Sequence, residues 1–145
     1  MREEPVAFPA RGAEGVVLDG RLLDGGGEPL VVSHPHPLHG GTMDHPVVVA
    51  AWSAAANAGF RALRYDFRGV GGSTGKLHPL SPLPLADLAG AVDVLGGGPL
   101  LAAGYSYGAR VTLHALRDGL PISRAVLIGL PTRLPANSAA MSNLI

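Results

Sequence analysis

Short apolar runs alternate along the chain with glycine- and proline-rich breaks, and the spacing of the apolar positions switches repeatedly between strand-like and helix-like periods. Val6 to Ala10 and Gly15 to Leu23 are β-type runs, and the turn signal Asp24-Gly25-Gly26-Gly27 follows them, which predicts an antiparallel hairpin. Pro29 to Ser33 is an apolar run stopped by His34-Pro35-His36-Pro37, the pattern of a buried strand opening into a loop. Val47 to Phe60 has helix length, no internal proline and a stop at Gly59. Arg61 to Tyr65 predicts a strand, Leu85 to Leu95 a helix, Leu100 to Ala103 a strand, Tyr107 to Leu116 a helix and Ala125 to Leu130 a strand. Strands alternating with helices through short Gly/Pro loops imply βαβ crossovers, and therefore a mostly parallel sheet behind an antiparallel N-terminal hairpin. Residues 131–145 have no clear period, and residues 1–145 read as one α/β domain with a tail of unclear structure.

Composition narrows the function. The 145 residues are 47% hydrophobic and 15% charged, enough apolar material for one core. Eleven basic and eleven acidic residues cancel, so nucleic acid and anionic lipid are not expected partners. Cysteine is absent, which removes disulfides and thiolate metal sites. Glu3, Glu4, Pro5 and Pro9 stand where a signal peptide would need an apolar centre, and no apolar run reaches the roughly 18 residues of a membrane span. A soluble cytoplasmic protein without membrane association is the expectation.

Candidate chemistry lies in three loops. Gly104-Tyr105-Ser106-Tyr107-Gly108 falls between a predicted strand and a predicted helix, the context in which a GxSxG pattern reads as a nucleophile elbow. Such a turn lifts the Ser106 hydroxyl above the sheet edge, Gly104 and Gly108 leave room for neighbouring backbone, and the helix N-terminus faces any oxyanion formed on Ser106. The backbone N–H of Tyr107 is one oxyanion donor. The loop His34 to Asp44 should supply a second; Pro35 and Pro37 carry no N–H, which leaves His36, with Leu38 or Gly40 as fallback. Histidines 34, 36, 39 and 45 invite a metal reading, but the prolines fix the loop and these rings read as pocket wall or backbone partners, so no metal and no other cofactor is expected. In Asp66-Phe67-Arg68-Gly69-Val70-Gly71-Gly72-Ser73 a phosphate-binding loop would need glycine at 70 and Ser or Thr at 77, where the chain has Val70 and Leu77. Asp66 and Arg68 are instead expected to bond loop backbone and each other.

The His-Pro-His-Pro-x-x-Gly-Gly loop, the Asp-x-Arg-Gly loop and the elbow, in this order along the chain, resemble the α/β-hydrolase superfamily, and within it small bacterial hydrolases with that His-Pro-His-Pro loop. The resemblance runs from about residue 6 to residue 131. It implies an α/β-hydrolase fold, Ser106 as nucleophile, the N–H groups of His36 and Tyr107 as oxyanion hole, and a small-molecule substrate with an ester, thioester or amide carbonyl.

The pattern breaks after the elbow. Superfamily members place an acid and then a histidine beyond the nucleophile. Here the sole histidine after Ser106 is His114 and the sole acid Asp118, and eight residues of helix carry His114 about 12 Å away from the hydroxyl. An upstream base, His36, His39 or His78, is the remaining route within the chain. Stopping at about the sixth strand would also leave the apolar Ala125 to Leu130 at a sheet edge without covering helices, which predicts instability, a homodimer, or a complementing chain at that edge. The expected function is a serine hydrolase incomplete in this chain; the alternative is a non-catalytic remnant of that fold acting as a binding module.

Overall fold

The computed structural model describes residues 1–77 and 82–132. Strands β1 (Glu3–Pro9) and β2 (Val17–Asp24) form the hairpin, and β3 (Pro29–Ser33) leads through a 3₁₀ turn at Pro37–His39 into helix α1 (Pro46–Asn57). Then follow β4 (Arg61–Tyr65), α2 (Leu85–Val94), β5 (Leu100–Tyr105), α3 (Tyr107–Arg117) and β6 (Ile122–Ile128). The six strands make one sheet in the order β1-β2-β4-β3-β5-β6. β2 runs antiparallel to β1 and β4, whereas β4, β3, β5 and β6 are mutually parallel. This is the expected α/β fold, with its antiparallel hairpin at one edge and β6 at the other.

Period-two alternation sorts the strand residues into two apolar layers. Val31, Leu63, Leu100 and Ala102 point to the side covered by α2 and α3, where they meet Leu88, Val92, Val111 and Ala115. Leu30, Val32, Ala62, Leu101 and Ala103 point the other way, onto Val48, Trp52 and Ala56 of α1. Those three α1 residues recur every four positions and so form one stripe of the helix. The Trp52 indole N–H donates to the carbonyls of Ala62 (2.9 Å) and Arg21 (3.1 Å), which fixes the helix to the sheet by more than apolar burial.

Helix α1 starts at Pro46, one residue before the expected Val47. Proline suits the first helical position, and the His45 Nδ1 accepts the Val47 N–H at 3.2 Å as an N-cap. β6 starts at Ile122 rather than Ala125. Ser123 and Arg124 hide its start because an edge strand can carry polar residues on an exposed face. The expected exposure of its apolar residues is met at Val126, 46% exposed, while Ala125, Leu127 and Ile128 are half-buried; among the described residues β6 pairs with β5 alone. Among those residues no helix is long and apolar enough to cross a membrane. His78 and the tail from residue 133 lie outside the described residues.

Candidate functional site

The chain places β4 on one side of β3 and β5 on the other. The helix after β3 covers one face of the sheet and the helix after β5 covers the opposite face. Such a switch point opens a crevice at the carboxyl ends of β3 and β5. Ser33, the last residue of β3, sits opposite Gly104 of β5, so the His34–His36 loop and the Ser106 turn emerge side by side.

Ser106 joins β5 directly to α3 with φ 55° and ψ −113°, and among the described residues it is the one non-glycine with positive φ. Such a conformation costs on the order of 1–3 kcal/mol and persists where its surroundings over-determine it. Those surroundings are backbone: a Cβ on Gly104 would fall onto the Gly108 carbonyl, and a Cβ on Gly108 onto the Ser33 carbonyl. The Ser106 N–H donates to the Ile128 carbonyl at 2.9 Å, and the Ser106 carbonyl accepts from Ala109 and Arg110. The backbone around Ser106 is thereby held on both sides. The Ser106 side chain makes no capping bond to its helix. Tyr107, as first helical residue, has an N–H with no acceptor inside the helix.

His36 comes to the same place. Its ring meets the Tyr107 ring edge-on at 4.7 Å between centroids, its carbonyl accepts from His39 and Gly41, and its Nδ1 accepts the Leu38 N–H at 3.1 Å. With Nδ1 acting as acceptor, the neutral ring carries its proton on Nε2. His45 is in the same condition, since its Nδ1 caps Val47, and its ring lies 5.2 Å from that of Tyr105. His34 is fully buried: Nδ1 bonds the Pro35 carbonyl at 2.7 Å and Nε2 accepts the Phe67 N–H at 3.1 Å. Burial pushes its pKa down to about 4, so it is a neutral strut between two loops. His114 is in the last turn of α3, far along the axis from Ser106, and burial, then Arg110 and Arg117, lower its pKa.

Asp66 bonds loop backbone as expected: it accepts the Met43 N–H at 2.9 Å, and burial raises its pKa. The expected mutual pair with Arg68 does not form. The Arg68 guanidinium donates instead to Asp87 Oδ1 from Nε (2.9 Å) and Nη2 (2.7 Å), and the Arg68 N–H donates to Oδ2 at 2.8 Å. Asp87, at 0% exposure in the first turn of α2, needs a cation that can follow it into the core, and Arg68 can do so while Asp66 is already spent on backbone. Asp87 was not legible as part of this loop network; its only sequence signal is an acid in the first turn of a helix whose other acid, Asp93, stands in the last turn.

The profile of the alpha/beta hydrolase family matches residues 30–144. An uncharacterized protein of Rickettsia prowazekii is 33% identical over 106 residues, which cover 70% of this chain and 44% of that one. A solved α/β serine hydrolase without lid from Xanthomonas campestris superposes with a TM-score of 0.76 at 26% identity, covering 91% of this chain and 64% of that one. An alpha-beta serine hydrolase homologue from Coxiella burnetii gives a TM-score of 0.80 at 24% identity over 99% of this chain and 69% of that one, and shares the fold. The chain thus spans less than half of the curated relative and about two thirds of these structures. With the strained serine at a switch point and the profile covering most of the sequence, this chain belongs to the alpha/beta hydrolase family.

Proposed function

We propose that this chain carries the nucleophile and oxyanion half of a serine hydrolase site, acting on the carbonyl of an ester, thioester or amide. The Ser106 Oγ would bond to the carbonyl carbon, its proton passing to a general base and the carbonyl electron pair moving to oxygen. The backbone N–H groups of Tyr107 and His36 would receive that oxyanion, and collapse of the intermediate would expel the leaving group with a proton returned from the base. The observation that carries this reading is the backbone of Ser106: a φ of 55° imposed on a serine by crowded carbonyls serves no packing purpose visible in the fold. The serine hydrolase named among the structural relatives supports it.

The base is the missing part. Both nitrogens of His34 are engaged, and the neutral rings of His36 and His45 present N–H rather than a lone pair at Nε2. We therefore assign proton removal to a group other than these three rings: His39, whose ring lies 5.2 Å from that of His36, or a group outside the described residues. This same observation favours the second reading, a non-catalytic hydrolase-fold binding module. Hydrolysis of p-nitrophenyl butyrate by the purified chain, beside Ser106→Ala, separates the two. Turnover that disappears in the variant supports the hydrolase; a folded protein whose background rate is the same in both supports the binding module.

A further inference from the structure

Against Tyr107, between the two loops and α2, lies a cavity of about 170 Å³ walled by Pro37, Phe67, Leu77, Leu83, Pro84 and Tyr107. Its lining is largely apolar, and Ala86 of α2 adds only a methyl group to it. Two of the walls belong to the site itself. Tyr107 follows Ser106 directly, and Pro37 follows His36, so the cavity opens where the elbow and the β3 loop meet. The walls are held in place from behind. The Phe67 ring packs edge-on against Tyr107 at 5.9 Å, and Arg68, also on the lining, is locked to the buried Asp87 by three hydrogen bonds. The Asp87 carboxylate, bonded by the Arg68 Nε and Nη2, offsets the charge of the guanidinium, so the pocket is not built to select an anion.

We infer that this cavity is the acyl subsite, taking the apolar chain of a short-chain acyl substrate of roughly six carbons or fewer. The inference rests on Ser106 being the nucleophile. The size limit follows from volume: an apolar cavity of about 150 Å³ holds one benzene ring, that is, six carbons. A longer chain extends past the cavity and gains no further burial.

Linear primary amides from acetamide to octanamide, which the chain need not hydrolyse, test this by NMR titration of the isotope-labelled full chain. Affinity should rise about fourfold per added methylene and then level off near six carbons. Ala86→Phe should move the levelling point to shorter chains, and Leu83→Ala to longer ones. Affinity independent of chain length, or a levelling point that neither substitution moves, would overturn the inference. p-Nitrophenyl esters of the same acyl series keep the two claims apart. Absence of Ser106-dependent release with an intact amide series would sink the nucleophile and keep the pocket; Ser106-dependent release with an unmoved amide series would do the reverse.

Discussion

Ser106 holds a backbone conformation that its own side chain does not favour, and Gly104 and Gly108 are the reason it is held. Ser106→Gly, which removes the strain at that φ, should raise the urea-unfolding free energy by about 1 kcal/mol, while Gly104→Ala, forced against the Gly108 carbonyl, should lower it by about 2 kcal/mol or more. A stability–function trade of this sign is what a site residue shows and a loop residue does not. His34 makes a second claim at this scale. Its folded-state pKa of about 4 lies below the unfolded value of about 6.5, so the unfolded chain binds more protons between those limits. Its contribution is therefore complete above pH 6.5 and is lost as pH falls toward 4, about 3 kcal/mol in all. Asp66, whose pKa burial raises, acts with the opposite sign nearer pH 4, and His114, whose pKa burial lowers, acts with the same sign as His34, so the share of His34 is the difference that its replacement makes between pH 5 and 6.5. Urea unfolding across that window should show a positive slope with pH that His34→Gln reduces, leaving the part that His114 contributes.

At the scale of elements, legibility followed burial. β3 is an apolar run and β4 a five-residue stretch in which Ala62, Leu63 and Tyr65 are apolar; both lie in the sheet interior between Gly, Pro or polar turns, so pattern and structure coincide at Pro29–Ser33 and Arg61–Tyr65. β6 is an edge strand whose first turns of alternation are polar, and three of its residues went unread. The elbow was legible because strand, Gly-x-Ser-x-Gly and helix are contiguous; its strain was not, because φ depends on the Ser33 carbonyl, which lies more than seventy residues away in the chain and beside it in space. The Arg68–Asp87 pair was hidden for the same reason, since it joins the β4 loop to α2 and nothing local marks it. Removing one partner of so buried a pair is costly: Asp87→Ala should destabilise by about 3 kcal/mol or more. Replacing both, as Arg68→Met with Asp87→Leu, should recover most of that loss, and a double-mutant cycle in urea measures the difference.

For the whole molecule, the sheet ends at one side on a hairpin and at the other on a strand with an unpaired edge among the described residues. Exposed, apolar edge strands are templates for pairing with another chain. The apparent mass in sedimentation velocity should therefore rise with protein concentration, and Val126→Lys, which puts a charge on that edge, should lower it; a monomer at every concentration would contradict the assignment of β6 as an association edge. The molecule combines a family fold, a serine of strained backbone at its switch point and a small apolar cavity near that turn. The claim on which the rest depends is that Ser106 is a nucleophile, and covalent labelling tests it without requiring turnover. Incubation of the full chain with a fluorophosphonate, followed by peptide mass spectrometry, should place one adduct on Ser106 and none on the Ser106→Ala protein. A folded chain that takes no adduct, or takes it equally in the variant, would contradict the account.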